Sequence, residues 1–173
     1  MDPAALLAQS VRAFNAYRAA HPDAPIVLAG CNLERRNLAG VDFHGANLFE
    51  ANLAWSQLDD ANMAGADLRR CRMEGCTLTG ARLDAARMDH ANLRGADLRG
   101  ATLRRATLLG SSLQSADGKG TDFEGASLKR VSFCDADLRG ARFRDANLDE
   151  ADLRWATFDI DAVEADLSGA RIR

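Results

Sequence analysis

From Leu28 to Phe158 a large apolar residue recurs at every fifth position without a slip. These 27 positions, termed centres, are Leu, Phe or Met in 26 cases, and Gly118 is the exception. Two residues before each centre stands a small or apolar side chain, Ala in 17 units and otherwise Ser, Thr, Cys, Val or Ile. Arg36 is the one departure from that slot. The residue just before the centre is Asn or Asp in 14 of the 27 units, and the residue two after it is Gly in 12.

A five-residue period restricts the backbone. On an α-helix five residues advance about 500°, so successive centres drift by about 140° and form no stripe. In a straight strand, successive residues alternate faces, and an odd period sends consecutive centres to opposite sides. The register works only if the chain turns a corner once per unit. The slot residue and the centre then share the inward face, and the residues flanking the centre meet water. The Gly-rich position and the slot that follows form the corner. Repetition winds the chain into a tube, so the pattern predicts an all-β solenoid.

The units read A-[DN]-L-x-x, as in Ala91-Asn92-Leu93-Arg94-Gly95 and Ala151-Asp152-Leu153-Arg154-Trp155. This motif resembles the pentapeptide-repeat family, and the resemblance covers residues 26–160. It implies a right-handed quadrilateral β-helix with four units per coil. On that reading, 27 units give about seven coils, a tube of roughly 30 Å at about 4.8 Å per coil.

Residues 1–25 lie outside the repeat and read as a capping helix and linker, with the solenoid occupying 26–173. Asp2-Pro3 is a helix start, with Asp as cap and Pro at the first helical position. Leu7, Val11 and Phe14 follow at helical spacing, and His21-Pro22 closes the run. A solenoid end exposes strand edges and core, so this helix is expected to lie over the first coil and bury Leu7, Val11 and Phe14. A membrane-surface or partner-binding helix is the alternative, resting only on Arg12 and Arg18.

Three irregularities interrupt the tube. Arg36 cannot stay unpaired inside it and is expected to lean outward beneath the cap. Gly118 leaves the space of a Leu, and an outward bulge of the backbone is expected there, either a functional loop over residues 116–120 or a tolerated decayed unit. After Phe158 the register slips by one residue within 161–164, and the motif resumes at Ala165-Asp166-Leu167. With no C-terminal cap in view, an end-to-end homodimer through Phe158, Ile160, Leu167 and Ile172 is expected. The alternative is a monomer whose slipped last turn folds over the end.

Composition and charge narrow the function. The chain has 173 residues with 22 basic and 25 acidic side chains, a net charge of −3. That balance argues against direct nucleic-acid binding. No apolar run is long enough for a membrane span, and no secretory leader is read at the start. A cytoplasmic location is expected, with non-classical export leaving no trace in the sequence. Cys31, Cys71 and Cys76 fall in the inward slot as apolar filler, and Cys134 falls at an outward position as an exposed thiol. His21, His44 and His90 are scattered, so no metal set, cofactor site or catalytic constellation is expected.

What remains is the exterior. Phe49, Trp55, Leu109 and Trp155 fall at outward or corner positions and form the candidate interaction surface. Trp55 and Trp155 share one corner column, with Gly75, Gly95, Ser115 and Asp135 between them. The leading reading is a non-catalytic, rod-shaped scaffold for a protein partner. The second follows from the resemblance, because some pentapeptide-repeat proteins mimic duplex DNA and bind DNA gyrase, protecting it from quinolones or toxins. A mimic needs dense negative charge along its length. Only the side carrying Asp59, Asp60, Asp97, Asp117, Asp137 and Asp159 against Arg99, Lys119 and Arg139 is acidic, at −3.

Overall fold

Parallel bridges join residues twenty apart, from Val27 with Asn47 to Asp137 with Thr157. The computed structural model in which they occur describes residues 2–159, 165, 167 and 169–172. Twenty residues make four units, so each coil has four walls. Wall 1 carries centres Leu28, Leu48 and so on, wall 2 Leu33 and Leu53, wall 3 Leu38 and Leu58, and wall 4 Phe43 and Met63.

One unit shows how the coil closes. Leu48 N–H donates to the Asp67 carbonyl at 2.8 Å, and Glu50 N–H to the Arg69 carbonyl at 3.0 Å. Asn47 N–H points the other way, to the Ile26 carbonyl at 2.8 Å. The corner is a turn closed by Ala51 N–H on the Leu48 carbonyl at 2.9 Å. Its third residue has positive φ, as a type II turn requires. Every fifth residue from Gly30 to Trp155 adopts this left-handed conformation, including Arg35, Trp55, His90 and Trp155.

All centres from Leu28 to Leu153 are buried, and so are all slot residues from Val41 to Ala151. Polar slot residues are satisfied by a centre's carbonyl in an adjoining turn. Ser111 Oγ donates to Met88 O at 2.7 Å, and Thr121 Oγ1 to Leu98 O at 2.8 Å. The interior is therefore filled and paired.

The N-terminal segment forms two helices, α1 (Pro3–Gln9) and α2 (Val11–Ala20), where one was expected. Ser10 separates them with an extended backbone, and its side chain caps Ala13 N–H at 3.0 Å, the competition that makes Ser a helix breaker and a cap. Leu6, Leu7 and Phe14 are buried, and Val11 is half-buried against the same core. Phe14 meets Phe43 edge-on at 5.5 Å. Asn15 and Arg18 take the place of a missing coil on wall 4. Asn15 Nδ2 donates to Gly40 O at 2.8 Å and its Oδ1 accepts Asp42 N–H at 2.9 Å. The Arg18 guanidinium donates to His44 O at 2.8 Å and lies 3.6 Å from the Asp42 carboxylate.

The expected bulge at Gly118 does not occur. Gly118 N–H keeps its ladder bond to Asp137 O at 2.8 Å, and Thr121 N–H keeps its turn bond to Gly118 O at 3.1 Å. Side chains fill the gap instead. A Cβ on Gly118 would lie 2.9 Å from Leu138 Cδ2. In the same coil Phe123 stacks on Phe143 at 5.2 Å and meets Phe133 edge-on at 5.8 Å. Tilting a Leu is easier than leaving backbone groups unpaired in a wall. Arg36 is exposed, as its charge demands. Cys134 is buried, not exposed as expected, because the Asp152 and Arg154 side chains of the next coil close over it.

At the far end, Asp152 bridges to Arg171, nineteen residues on instead of twenty. Residues 161–164, where the slip is expected, lie outside the described residues, as does Ile160.

Candidate interaction surface

The outward residue before each centre is fixed by the turn it precedes. Asn or Asp there accepts the N–H two residues on, as Asn47 does from Phe49 at 3.1 Å and Asp97 from Arg99 at 3.1 Å. This Asx geometry explains the Asn/Asp preference. At Thr77, Thr102 and Thr107, which take the same position, an Asp from the preceding coil supplies the acceptor. Asp89 Oδ1 accepts Leu109 N–H at 2.9 Å, while its Oδ2 accepts the Thr107 hydroxyl at 3.2 Å. Asp59 does the same for Thr77 and Thr79, and Asp84 for Thr102 and Arg104.

On wall 3 the acidic side chains are interleaved with cations along the axis. Arg99 binds Asp97 at 2.6 Å, Lys119 binds Asp117 at 2.9 Å and Asp137 at 3.0 Å, and Arg139 binds Asp137 at 2.7 Å. Hydrogen bonds from Arg99 and from Arg139 hold Asp97 and Asp137 below the usual carboxylate range. A second network on wall 4 brings Arg104 and Arg142 to the buried Asp122 carboxylate, each at 2.6 Å.

The four candidate apolar residues flank one wall. Phe49 and Leu109 stand on the corner between walls 1 and 2, and Trp55 and Trp155 on the corner between walls 2 and 3. Phe49 is half-buried under the Arg69 guanidinium, 5.4 Å from its ring. Phe49 and Leu109 share an open groove of ≈ 410 Å³ with Arg69, Arg70, Asp89 and His90. Trp55 and Trp155 are 58% and 70% exposed. They do not bound one continuous groove, because the Trp55 ring lies across Gly75 and Arg154 sits 5.2 Å over the Trp155 ring. Between them the outward column of wall 2 runs Arg72, Asn92, Ser112 and Ser132, an order readable from the twenty-residue spacing.

Other chemistry is sparse. Burial pushes the Cys71 thiol up to about 12 and the Cys76 thiol higher still, so both stay protonated filler. Among the described residues no group of three or more His, Cys, Asp or Glu converges as a metal site. No described helix is long and apolar enough to cross a membrane. Of the candidate end residues, Phe158 and Leu167 are half-buried and Ile172 is exposed. With Phe143, Leu148 and Leu153, Phe158 and Leu167 enclose a void of only ≈ 10 Å³.

Four walls, parallel ladders at twenty residues and a left-handed corner every fifth residue define a four-sided β-helix. Four stretches, residues 27–63, 61–100, 96–133 and 126–159, match the model of pentapeptide repeats, in eight copies. The chain belongs to the pentapeptide-repeat family, whose members form right-handed quadrilateral β-helices. HetL, a pentapeptide-repeat protein involved in heterocyst differentiation regulation in the cyanobacterium Nostoc, is 26% identical with a TM-score of 0.64, over 87% of this chain and 72% of HetL. The plasmid-mediated fluoroquinolone resistance protein QnrB1 is 23% identical with a TM-score of 0.32, over 86% of this chain and 90% of QnrB1. Rfr23 from the cyanobacterium Cyanothece is 22% identical with a TM-score of 0.35, over 92% of this chain and 97% of its own. No curated protein matches the sequence.

Proposed function

We propose that this protein is a non-catalytic interaction scaffold, a rod of about seven coils that presents one wall to a protein partner. The observation that carries this reading is the placement of Phe49, Trp55, Leu109 and Trp155 on the two corners of wall 2, around a tube whose interior is filled. Exposed aromatic residues are favoured interface anchors. The likeness to HetL, a protein involved in regulation, supports binding over catalysis. In this reading α1 and α2 cap the first coil. Two copies meet end to end through Phe158, Leu167 and Ile172, with Ile160 outside the described residues. Sedimentation of wild type and Ile172→Asp tests that contact: an unchanged association state removes it.

A DNA-like rod acting on DNA gyrase fits less well. Its most acidic wall is threaded by Arg99, Lys119 and Arg139, which offset half of its acidic charge and weaken the field a mimic needs. A supercoiling assay with added protein addresses it, and no change at micromolar concentration excludes it. For the scaffold, affinity capture from the native cell compares wild type with the Trp55→Ala/Trp155→Ala double variant. Recovery of the same partners by both sinks the assignment to wall 2.

A further inference from the structure

We infer that the partner of wall 2 is a second copy of this chain, packed wall to wall and antiparallel about a twofold axis at the coil of Leu109, Ser112 and Ser115. This rests on the reading of wall 2 as the interface and names what covers it.

The order of charges along the wall carries the inference. Across wall 2 and its two corners, one coil presents Arg69, Arg70, Arg72 and Glu74, three cations and then an anion. Further along, the same four columns hold Asp149, Glu150, Asp152 and Arg154, the reverse sign at every position. Midway between them, the coil of Leu109, Gly110, Ser112, Gln114 and Ser115 carries no charge. The coils on either side of it also oppose each other. Asp89 shares a column with Lys129, and Arg94 lies on the same corner as Asp135.

Such an inversion is what an isologous antiparallel contact requires. A twofold axis in the plane of contact, running across the wall, sets every column against its own reverse. Like charges then repel unless the column is its own complement, and a charge on the axis would face itself. Wall 2 meets both conditions. Wall 3 does not, because the same operation sets Asp97 against Asp137 and Arg99 against Arg139 of the other copy. A foreign protein or a nucleic acid places no such demand on a wall.

The apolar groups fall where this packing needs them. Leu109, 37% exposed, lies on the axis and meets Leu109 of the other copy. The Trp55 ring, seated over Gly75, is at the level of the coil that faces Trp155 of the other copy, so an indole pair forms at each end. Five coils with five outward positions each give about 25 residues a side, the size of a stable interface. Coil-to-coil pairs already hold Arg70 to Glu50 at 3.3 Å and Arg130 to Glu150 at 2.7 Å, yet Arg70 stays 63% and Glu150 47% exposed, open to a second partner.

Sedimentation equilibrium from about 1 to about 100 µM, in the Ile172→Asp background so that the C-terminal end contributes nothing, tests this. The expected species is a dimer. Arg70→Glu and Glu150→Arg each set like charges face to face twice per dimer and should weaken it at least about tenfold. An equimolar mixture of the two variants should restore dimerisation, because every facing pair in the heterodimer is of opposite sign. Circular dichroism checks that both keep the wild-type fold. A monomer throughout, a dimer indifferent to both substitutions, or a mixture no tighter than either variant alone overturns the proposal. A monomer whose foreign partners are lost in the Trp55→Ala/Trp155→Ala variant overturns the second copy as partner and leaves wall 2 standing as an interface.

Discussion

The indole of Trp55 sits over Gly75 one coil further along the same corner, close enough that a Cβ on residue 75 would collide with the ring. Gly75 also has φ 61, and Gly95, the next residue in that column, has φ 66 with nothing above it. The two glycines separate backbone strain from side-chain collision. Gly95→Ala should cost about 1 kcal/mol through the left-handed conformation alone. Gly75→Ala should cost more or expel the indole, visible as a lower Tm with red-shifted tryptophan emission. Equal cost and unchanged emission would show that the ring does not rest there.

Leu93 is fully buried and Arg94, its neighbour, is exposed on the corner. Leu93→Ala should cost about 2–5 kcal/mol and Leu93→Asp should unfold the tube. Arg94→Asp should change stability by less than about 0.5 kcal/mol. Chemical denaturation of the three variants checks the inward–outward assignment at adjacent residues.

The sequence makes the inward register readable because size alternation between slot and centre is a direct imprint of a narrow core. It also places Phe49, Trp55, Leu109 and Trp155 on corners. What it conceals depends on neighbours a coil away. Cys134 occupies an outward position and is buried by Asp152 and Arg154, twenty residues on. Trp55 reads as free until its ring is seen on Gly75. Arg18 reads as a surface charge, yet 11, 14 and 18 share one face of α2, so its burial had a signal in the spacing.

Gly118 tests how the core accommodates a missing centre. Its φ is not in the left-handed region, so Gly118→Ala meets only Leu138 Cδ2 at 2.9 Å. Leu138 can rotate away, and the cost should stay within about 1–3 kcal/mol. Gly118→Ala/Leu138→Ala should cost less than the sum of the two single variants, because the first Cβ enters space vacated by the second. Strict additivity in urea denaturation would refute this coupling.

Acid should loosen the ladder on wall 3. Asp97 and Asp137 have folded values depressed by hydrogen bonds from Arg99 and Arg139, against about 3.9 in the unfolded chain. A depressed carboxylate stabilises fully above its unfolded value and stops doing so as pH falls through its folded value. Tm should therefore be flat above about pH 5 and fall below about pH 4. The partners are half-exposed, so the effect is modest and screened by salt. Asp137→Asn should lower Tm modestly at neutral pH, leave it unchanged in acid and so flatten part of the acid limb; an identical profile in the variant excludes Asp137 as a contributor.

Arg18 replaces the coil that would precede wall 4, and its loss should be felt at that end only. The side chain is 8% exposed, donates to His44 O at 2.8 Å and to Ala24 O at 3.4 Å, and faces Asp42 at 3.6 Å. Arg18→Ala removes all three interactions and should cost about 1–3 kcal/mol. Arg18→Lys keeps the charge but has no planar fork to span both carbonyls, so it should recover only part. Stacked coils are coupled mainly to their neighbours, which makes the location of the loss informative. Amide exchange should quicken in residues 26–47 of the Ala variant and stay unchanged around Phe133 and Leu153. If exchange rises equally along the whole tube, α1 and α2 belong to a single cooperative unit with the β-helix, and Arg18 is a determinant of global stability instead of a local clamp.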